Sequence, residues 1–411
     1  MKKSMAILLI VPFALFGESL TQLIELSKNN KMIDSSRISI ESTKDSYKSV
    51  QNSYLPQFSV GASYQRTNKE TASVPHSSNK VQGSVDYVIY DGGKKYNVFD
   101  SYEASIKQGK NDLVNQKNEI ALQVINYYFN YLSLEAQKEA KLKEIEQLES
   151  QYVRLKRFLD AGTTTEDEVQ KIISRVENAK VDLHEIELNI LTITHNLEYV
   201  VGKSVSIEKG SVVSEYSSDK KQLRADIKAL EYKLEALLAT AKATKSGTLP
   251  TININDTYTR NDANFNSSTF ASNDDEYTQN IASVNLSWKI FDFGATSREY
   301  QAAYKQYLAL KSQYEYEKNK ASVDLKLAKE SFDIGKLKIK SAKAGLKAAN
   351  SAYDAIKAKY ESGLVDNVSY LEALSEKYDA QSVLKVALYD LEIKKANIIY
   401  YSGENLEEFV K

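Results

Sequence analysis

The side chains that could carry chemistry in this 411-residue chain are few and scattered. Three histidines, His76, His184 and His195, are the candidates for acid–base work near neutral pH or for holding a metal. His184 and His195 stand eleven residues apart in a stretch of helical pattern, close to three turns, so they share one face. A divalent cation is the chemistry such a pair suggests; two solvated or packed histidines are the plainer alternative. Neither belongs to an HExxH pair, and there is no phosphate-binding loop of the GxxxxGK[ST] or GxGxxG type. Cysteine is absent, which excludes disulfides, thiolate metal sites and a lipid-modified N-terminal cysteine. No nucleophile, base and orienting group fall together as a hydrolase requires. The reading is of a chain without catalytic residues, cofactor or metal site.

Charge narrows the partners. Lys and Arg number 54 against 55 Asp and Glu, so there is no basic footprint and no nucleic acid is expected. Lys2 and Lys3 precede an apolar run, Ala6 to Phe16, and Gly17 is small enough for a cleavage position. Residues 1–17 read as a secretory signal peptide, although Leu15 is larger than the usual residue three positions before the cut. Removing Lys2 and Lys3 moves the formal net charge from −1 to −3. No later stretch approaches the roughly 18 consecutive apolar residues of a membrane helix. Any embedding in a bilayer must use β-strands, lipid or a partner.

The chain repeats itself. Gly93, Gly162 and Gly202 each precede Gly294, Gly363 and Gly403 by 201 residues. Leu55-Pro56 corresponds to Leu249-Pro250, and Tyr90-Asp91-Gly92-Gly93 to Phe291-Asp292-Phe293-Gly294. The apolar pattern Leu148, Tyr152, Leu155, Leu159 recurs at the same offset as Ala349, Tyr353, Ile356, Tyr360. A tandem duplication of about 200 residues follows. The halves are 18–202 and 219–403, separated by a 203–218 segment and followed by a 404–411 tail.

Each half has one order of elements. A polar amphipathic helix comes first, about Ser19 to Tyr54 and about Asp219 to Gly247, and proline stops it. Two alternating segments follow, near 56–66 and 80–91, then near 250–260 and 277–291. A long helix, 94–161 or 295–362, ends at glycine, and a return helix of about 36 residues closes the half. At 1.5 Å per residue the long helices measure roughly 100 Å. Apolar steps of three and four residues indicate coiled-coil packing in a tall bundle.

The alternating segments are the membrane signal. Val81, Gly83, Val85, Tyr87 and Ile89 oppose Gln82, Ser84, Asp86, Val88 and Tyr90; Phe58, Val60, Ala62 and Tyr64 oppose Ser59, Gly61, Ser63 and Gln65. Ala282, Val284, Leu286, Trp288 and Ile290 oppose Ser283, Asn285, Ser287 and Lys289. Thr251 to Arg260 is weakest, with Asp256 among its apolar residues. Such strands suit a transmembrane barrel, with Val85, Tyr87, Ile89, Val284, Leu286 and Trp288 facing lipid. A soluble sheet with one wet face would alternate in the same way. Four strands cannot close a barrel, and an open edge in lipid leaves backbone groups unpaired. The subunit must therefore oligomerise; two, three or four copies would supply eight, twelve or sixteen strands.

The duplicated order of helix, Leu-Pro, strand pair, Asp-x-Gly turn, long helix, glycine tip and return helix resembles the TolC family of outer-membrane efflux proteins. The tips are Gly162-Thr163-Thr164-Thr165-Glu166-Asp167-Glu168-Val169 and Gly363-Leu364-Val365-Asp366-Asn367-Val368-Ser369-Tyr370-Leu371-Glu372. The resemblance implies a mixed, mainly α membrane protein built as a homotrimer. A trimeric α-helical barrel would continue into a 12-stranded transmembrane β-barrel, four strands per subunit. It implies a passive gated duct of a tripartite efflux or type I secretion system, in the outer membrane of a Gram-negative bacterium and reaching into the periplasm. Its partners would be a periplasmic adaptor, an inner-membrane transporter and outer-membrane lipid. The 203–221 stretch and the tail would belt the helices.

The family's constriction carries acidic residues six and nine positions after the second-tip glycine. Those positions are Ser369 and Glu372, so one carboxylate ring is present and one is missing. The family lock joins a tyrosine and an arginine at the second tip to a polar and an acidic residue at the first. Tyr360, Asp167 and Glu168 match, but Val365 stands at the arginine position, with Asp366 beside it. The expected gate is Glu372, Ser369, Asp366, Tyr360, Glu168 and Asp167. Gly162, Thr165, Gly363, Leu364 and Val365 would meet the adaptor. Three Glu372 carboxylates around a narrow entrance would concentrate cations and resist closure. A solvated helix-face carboxylate is the simpler role for that residue. A coiled-coil surface fibre or a periplasmic adaptor is the competing function; neither calls for two complete hairpins with duplicated strand pairs.

Overall fold

The computed structural model describes residues 17–216, 222–266 and 276–411. The expected signal peptide lies almost wholly outside them, as do parts of the 203–218 segment and of the loop after β3. The elements run α1 (Leu20–Ser27), α2 (Lys31–Ser53), β1 (Gln57–Arg66), β2 (Ser77–Tyr90), α3 (Lys94–Asp160), α4 (Glu166–Val201), α5 (Ala225–Lys245), β3 (Thr251–Asn264), β4 (Glu276–Ser287), α6 (Ala295–Glu361) and α7 (Asn367–Tyr401). Both long helices, α3 and α6, have 67 residues and begin 201 positions apart. No helix among the described residues is long and apolar enough to cross a membrane.

One expected helix is two. The continuous helix from about Ser19 to Tyr54 breaks at Asn29-Asn30, between α1 and α2. Asn30 accepts from the Met32 N–H at 2.8 Å and donates its amide to the Val200 carbonyl at 2.8 Å. A short polar side chain that satisfies the first free N–H groups of a helix starts a new one. Ser19 and Gln22 form a capping box at the head of α1.

The chain divides into two compact units. The first draws on Met1–Ser35, Leu113–Ala225 and Asn319–Lys411. Its core joins Leu20, Leu23 and Ile24 of α1, Val124 to Leu132 of α3, Leu197 and Val201 of α4 and Ile399 of α7. Val213 and Val410 pair as an isolated bridge, and Leu406 is fully buried, so the middle segment and the tail both cover this core. Tyr128 is sealed inside it; its hydroxyl donates to the Glu208 carbonyl at 2.7 Å and accepts from the Ser211 N–H. A second cluster, Ile145 and Leu148 with Ile172, Val176 and Ala179, zips α3 to α4 near the first tip.

The second unit draws on Ser36–Asp112 and Asp226–Lys318 and holds the sheet. Its order is β1-β2-β3-β4, antiparallel throughout. The two hairpins share one register. Phe58 pairs with Val85 and Ile252 with Leu286; moving the first strand by 194 residues and the second by 201 converts one ladder into the other. The strand expected to reach residue 291 stops at Ser287, because its partner begins at Thr251, after Pro250, which has no N–H to offer. The Trp288 indole donates instead to the Thr248 carbonyl.

Candidate functional site

Residues paired directly across an antiparallel ladder point to the same face. The register therefore aligns all four alternating sets. One face carries Phe58, Val60, Ala62 and Tyr64 of β1, Val81, Val85 and Tyr87 of β2, Ile252, Ile254 and Tyr258 of β3 and Ala282, Val284 and Leu286 of β4. Phe58 and Val60 are 80% and 84% exposed, and Val284 and Leu286 69% and 65%, so none of the described residues covers this part of the face. A bulge between Val88 and Tyr90 sets Tyr90, not Ile89, opposite Ile252, and Ile89 stays half exposed. Trp288 lies one residue past β4 and is half exposed, while Val85 is only partly exposed. Asp256 shares the apolar face, between Val85 and Ala282.

The opposite face is polar and internally bonded. Ser59 and Ser84 share a hydroxyl hydrogen bond of 2.7 Å, and Asn255 donates to Asp86 at 2.6 Å. Thr257 donates to Asn255, and Asn285 to Ser283. One face suits hydrocarbon and the other water.

The apolar stretch also shifts along the ladder. Straight across from Gly61 stand Gln82, Thr259 and Gln279. Leaving out Ile89, at the bulge, and Ile290, three residues past β4, four alternating residues per strand centre on Gly61 in β1 (58 to 64), Ser84 in β2 (81 to 87), Asn255 in β3 (252 to 258) and Asn285 in β4 (282 to 288). Relative to that row the centres move by zero, two, four and six residues, always toward the helix-joined end of the sheet. A band held level while the strands tilt would move in this way.

The two helix tips turn on Gly162 and Gly363, both in the left-handed region at φ 72° and 75°. At the first tip Thr165 precedes α4 but makes no side-chain cap. Glu166, Asp167 and Glu168 fill the first turn, where negative charge meets the free N–H groups. Lys171 bridges Asp167 at 3.2 Å and Glu168 at 2.6 Å. Thr165 and then Lys171 hold the Asp167 carboxyl below its ordinary range.

At the second tip Asp366 caps α7. The Ser369 N–H and hydroxyl both donate to Asp366 Oδ1, at 2.9 and 2.8 Å. These bonds, with the Arg154 guanidinium adding its charge, hold the Asp366 carboxyl below its ordinary range. Ser369, at a position where the resemblance implies a carboxylate, is thus part of the cap. Leu364 is exposed and Val365 partly so. Tyr360 stacks on Tyr370 at 4.8 Å and 15°, and Tyr370 shares a 3.2 Å hydroxyl bond with Tyr353. That contact and burial push the Tyr353 phenol up to about 12. Each half of the expected lock is therefore engaged inside its own hairpin. Arg154 of α3 brings a cation to this tip from outside the motif, whose arginine position holds Val365. Its Nη1 is buried without a hydrogen-bond partner, and its guanidinium lies 5.1 Å from the Phe158 ring centre.

Glu372 is exposed and lines a groove of about 420 Å³ with Glu144, Asp182, Glu376 and Arg175. The groove is net acidic; burial, and then the Glu144 charge, raise the nearby Asp379 carboxyl. His184 and His195 each face their own glutamate, Glu187 at 3.3 Å and Glu198 at 3.4 Å. Eleven residues of helix separate them by roughly 16 Å along the axis, too far to share one ion. No group of three or more metal-ligating side chains forms among the described residues.

Comparison with solved structures finds the same fold in outer-membrane channels. The Campylobacter jejuni CmeC channel matches with a TM-score of 0.82 at 17% identity, over 93% of this chain and 85% of that one. Vibrio cholerae VceC gives 0.77 at 15%, over 94% and 96%, and Neisseria gonorrhoeae MtrE in its open state 0.76 at 15%, over 94% and 89%. No curated protein sequence matches. The outer membrane efflux protein family matches residues 23–203 and 217–404, one match on each repeat. With a two-faced strand sheet, two duplicated helical hairpins and a family match over both, this chain belongs to the outer membrane efflux protein family and is an efflux channel subunit of the outer membrane.

Proposed function

We propose that three copies of the chain form one passive duct. Twelve strands close a barrel in the outer membrane, with the apolar face toward lipid and the Ser59–Ser84 and Asn255–Asp86 face lining the water path. Val85, Tyr87, Ile89, Val284, Leu286 and Trp288 meet lipid. The Gly162–Thr165 and Gly363–Val365 tips receive a periplasmic adaptor, which couples the duct to an inner-membrane transporter. Glu372 rings the periplasmic entrance, and the chain performs no chemistry on its cargo. The observation that carries this reading is the sheet: an exposed apolar face, a bonded polar face and, among the described residues, two unpaired edges, on a unit that cannot close alone.

The test is the oligomeric mass of the purified protein in detergent, followed by single-channel recording in a planar bilayer. A trimer with small cation-selective steps is expected. A water-soluble assembly without conductance would overturn the barrel and move the weight to a coiled-coil fibre.

A further inference from the structure

The sheet ends in two bare edges, β1 and β4, and two features of the ladder say how they meet. The first is the duplication. The β1–β2 and β3–β4 ladders interconvert residue by residue under the repeat. The junction between repeats inside the chain is β2 against β3, where Val85 faces Asp256 and Ser84 faces Thr257. Its counterpart between chains is β4 against β1 of another copy. Carrying the observed register across by the same offsets sets Leu286 opposite Ala62 of the partner subunit and Asn285 opposite Ser63 of the partner subunit.

The second feature is the shift of the apolar stretch. The centres move two residues per strand, through zero, two, four and six. A fifth strand continuing the series would place its centre eight residues beyond the row through Gln279, opposite Ser287. The centre of β1 is Gly61. Ser287 opposite Gly61 of the partner subunit is the same register, one residue along, as Leu286 opposite Ala62. The two agree because the β1–β2 and β2–β3 steps are equal; the second-repeat stretches are the first-repeat stretches moved by 194 and 201 residues.

We infer that β4 of one copy pairs with β1 of the next in this register, with Leu286 opposite Ala62 and Asn285 opposite Ser63 across the subunit boundary. The pairing keeps Val284 and Leu286 on the face of Ala62 and Tyr64, and Ser283 and Asn285 on the face of Ser63 and Gln65. A one-residue slip would exchange those faces. The transfer covers the ladder and not the turn below it. A Cβ at Gly92 would come within 2.6 Å of the Ser246 carbonyl oxygen, whereas Phe293 occupies the corresponding site at φ 54°. The neighbouring backbone must stand further off there.

This inference rests on the proposed barrel, and disulfide trapping separates the two. The wild-type chain has no cysteine, so an introduced pair has no competitor. Two double variants, Leu286→Cys with Ala62→Cys and Asn285→Cys with Ser63→Cys, carry facing pairs at roughly 4.5–5.5 Å between Cα atoms, within disulfide reach. Leu286→Cys with Tyr64→Cys, and Leu286→Cys with Val60→Cys, represent two-residue slips that keep the faces, at roughly 7–8 Å in the inferred register. Single variants check that the assembly mass is unchanged. The facing pairs should oxidise to a covalent, reducible trimer at least tenfold faster than the slipped pairs. Faster trapping of a slipped pair, or none in a protein that still has trimeric mass, overturns the register and leaves the duct intact. A single-chain mass with no trapping overturns both.

Discussion

Replacing Asp366 by alanine removes the acceptor for two hydrogen bonds at the head of α7, from the Ser369 N–H and the Ser369 hydroxyl. Loss of an aspartate N-cap destabilises a helix by about 1 kcal/mol. That energy corresponds to roughly a fivefold rise in opening of the first turn. α7 has 35 residues, so the effect should stay local and leave the thermal midpoint almost unmoved. The assay is amide hydrogen exchange: the Ser369 amide should exchange about fivefold faster in Asp366→Ala, with amides near Ile398 unchanged. The sign of the pH dependence follows from the lowered carboxyl. A group whose folded pKa lies below its unfolded value stabilises above the unfolded value, near 3.9 for aspartate. That contribution disappears as pH falls from there through the folded value. Asp366→Asn keeps an acceptor oxygen, so it should retain most of the protection at neutral pH and lose the acid dependence. Wild-type exchange at Ser369 in the alanine variant would refute the cap, and with it the role given to the Ser369 hydroxyl.

Other outcomes are open to direct measurement. Glu372→Ala should lower cation selectivity and weaken block by multivalent cations in single-channel records; unchanged conductance and block would remove Glu372 from the entrance. Tyr370→Phe removes the hydroxyl contact that chiefly raises the Tyr353 phenol, which should fall from about 12 toward the ordinary value near 10 in a spectrophotometric titration. Phe129→Ala empties a site that is 1% exposed beside Tyr128 and Tyr389, and should lower unfolding free energy by about 3–5 kcal/mol in denaturant titration.

Features that repeat or alternate were legible in the sequence. The 201-residue offset survives as two 67-residue helices, and period-two alternation survives as the two faces of the sheet. Features set by a single side chain were not. Asn30 splits a helix whose apolar pattern runs on across the break, because its amide finds the Val200 carbonyl, 170 residues away. Arg154 carries no local signal; its field reaches Asp366 only once the two hairpins are folded. Tyr360, Asp167 and Glu168 are expected at a lock by motif position, but in the structure they engage Tyr370 and Lys171, neighbours in their own hairpins. The shift of the apolar stretch was hidden for another reason: it exists only relative to a register, and register is a property of pairs of strands.

In the proposed twelve-stranded barrel, that shift sets how wide the water path is. Two residues per strand, at about 3.3 Å of rise and 4.8 Å of spacing, correspond to strands inclined roughly 54° to the axis. Twelve strands at that inclination enclose a cylinder roughly 31 Å across between backbones. Serine, asparagine and threonine side chains along its inner wall are far too short to meet at the centre. In the proposed barrel the strand side chains alone then do not close the sleeve.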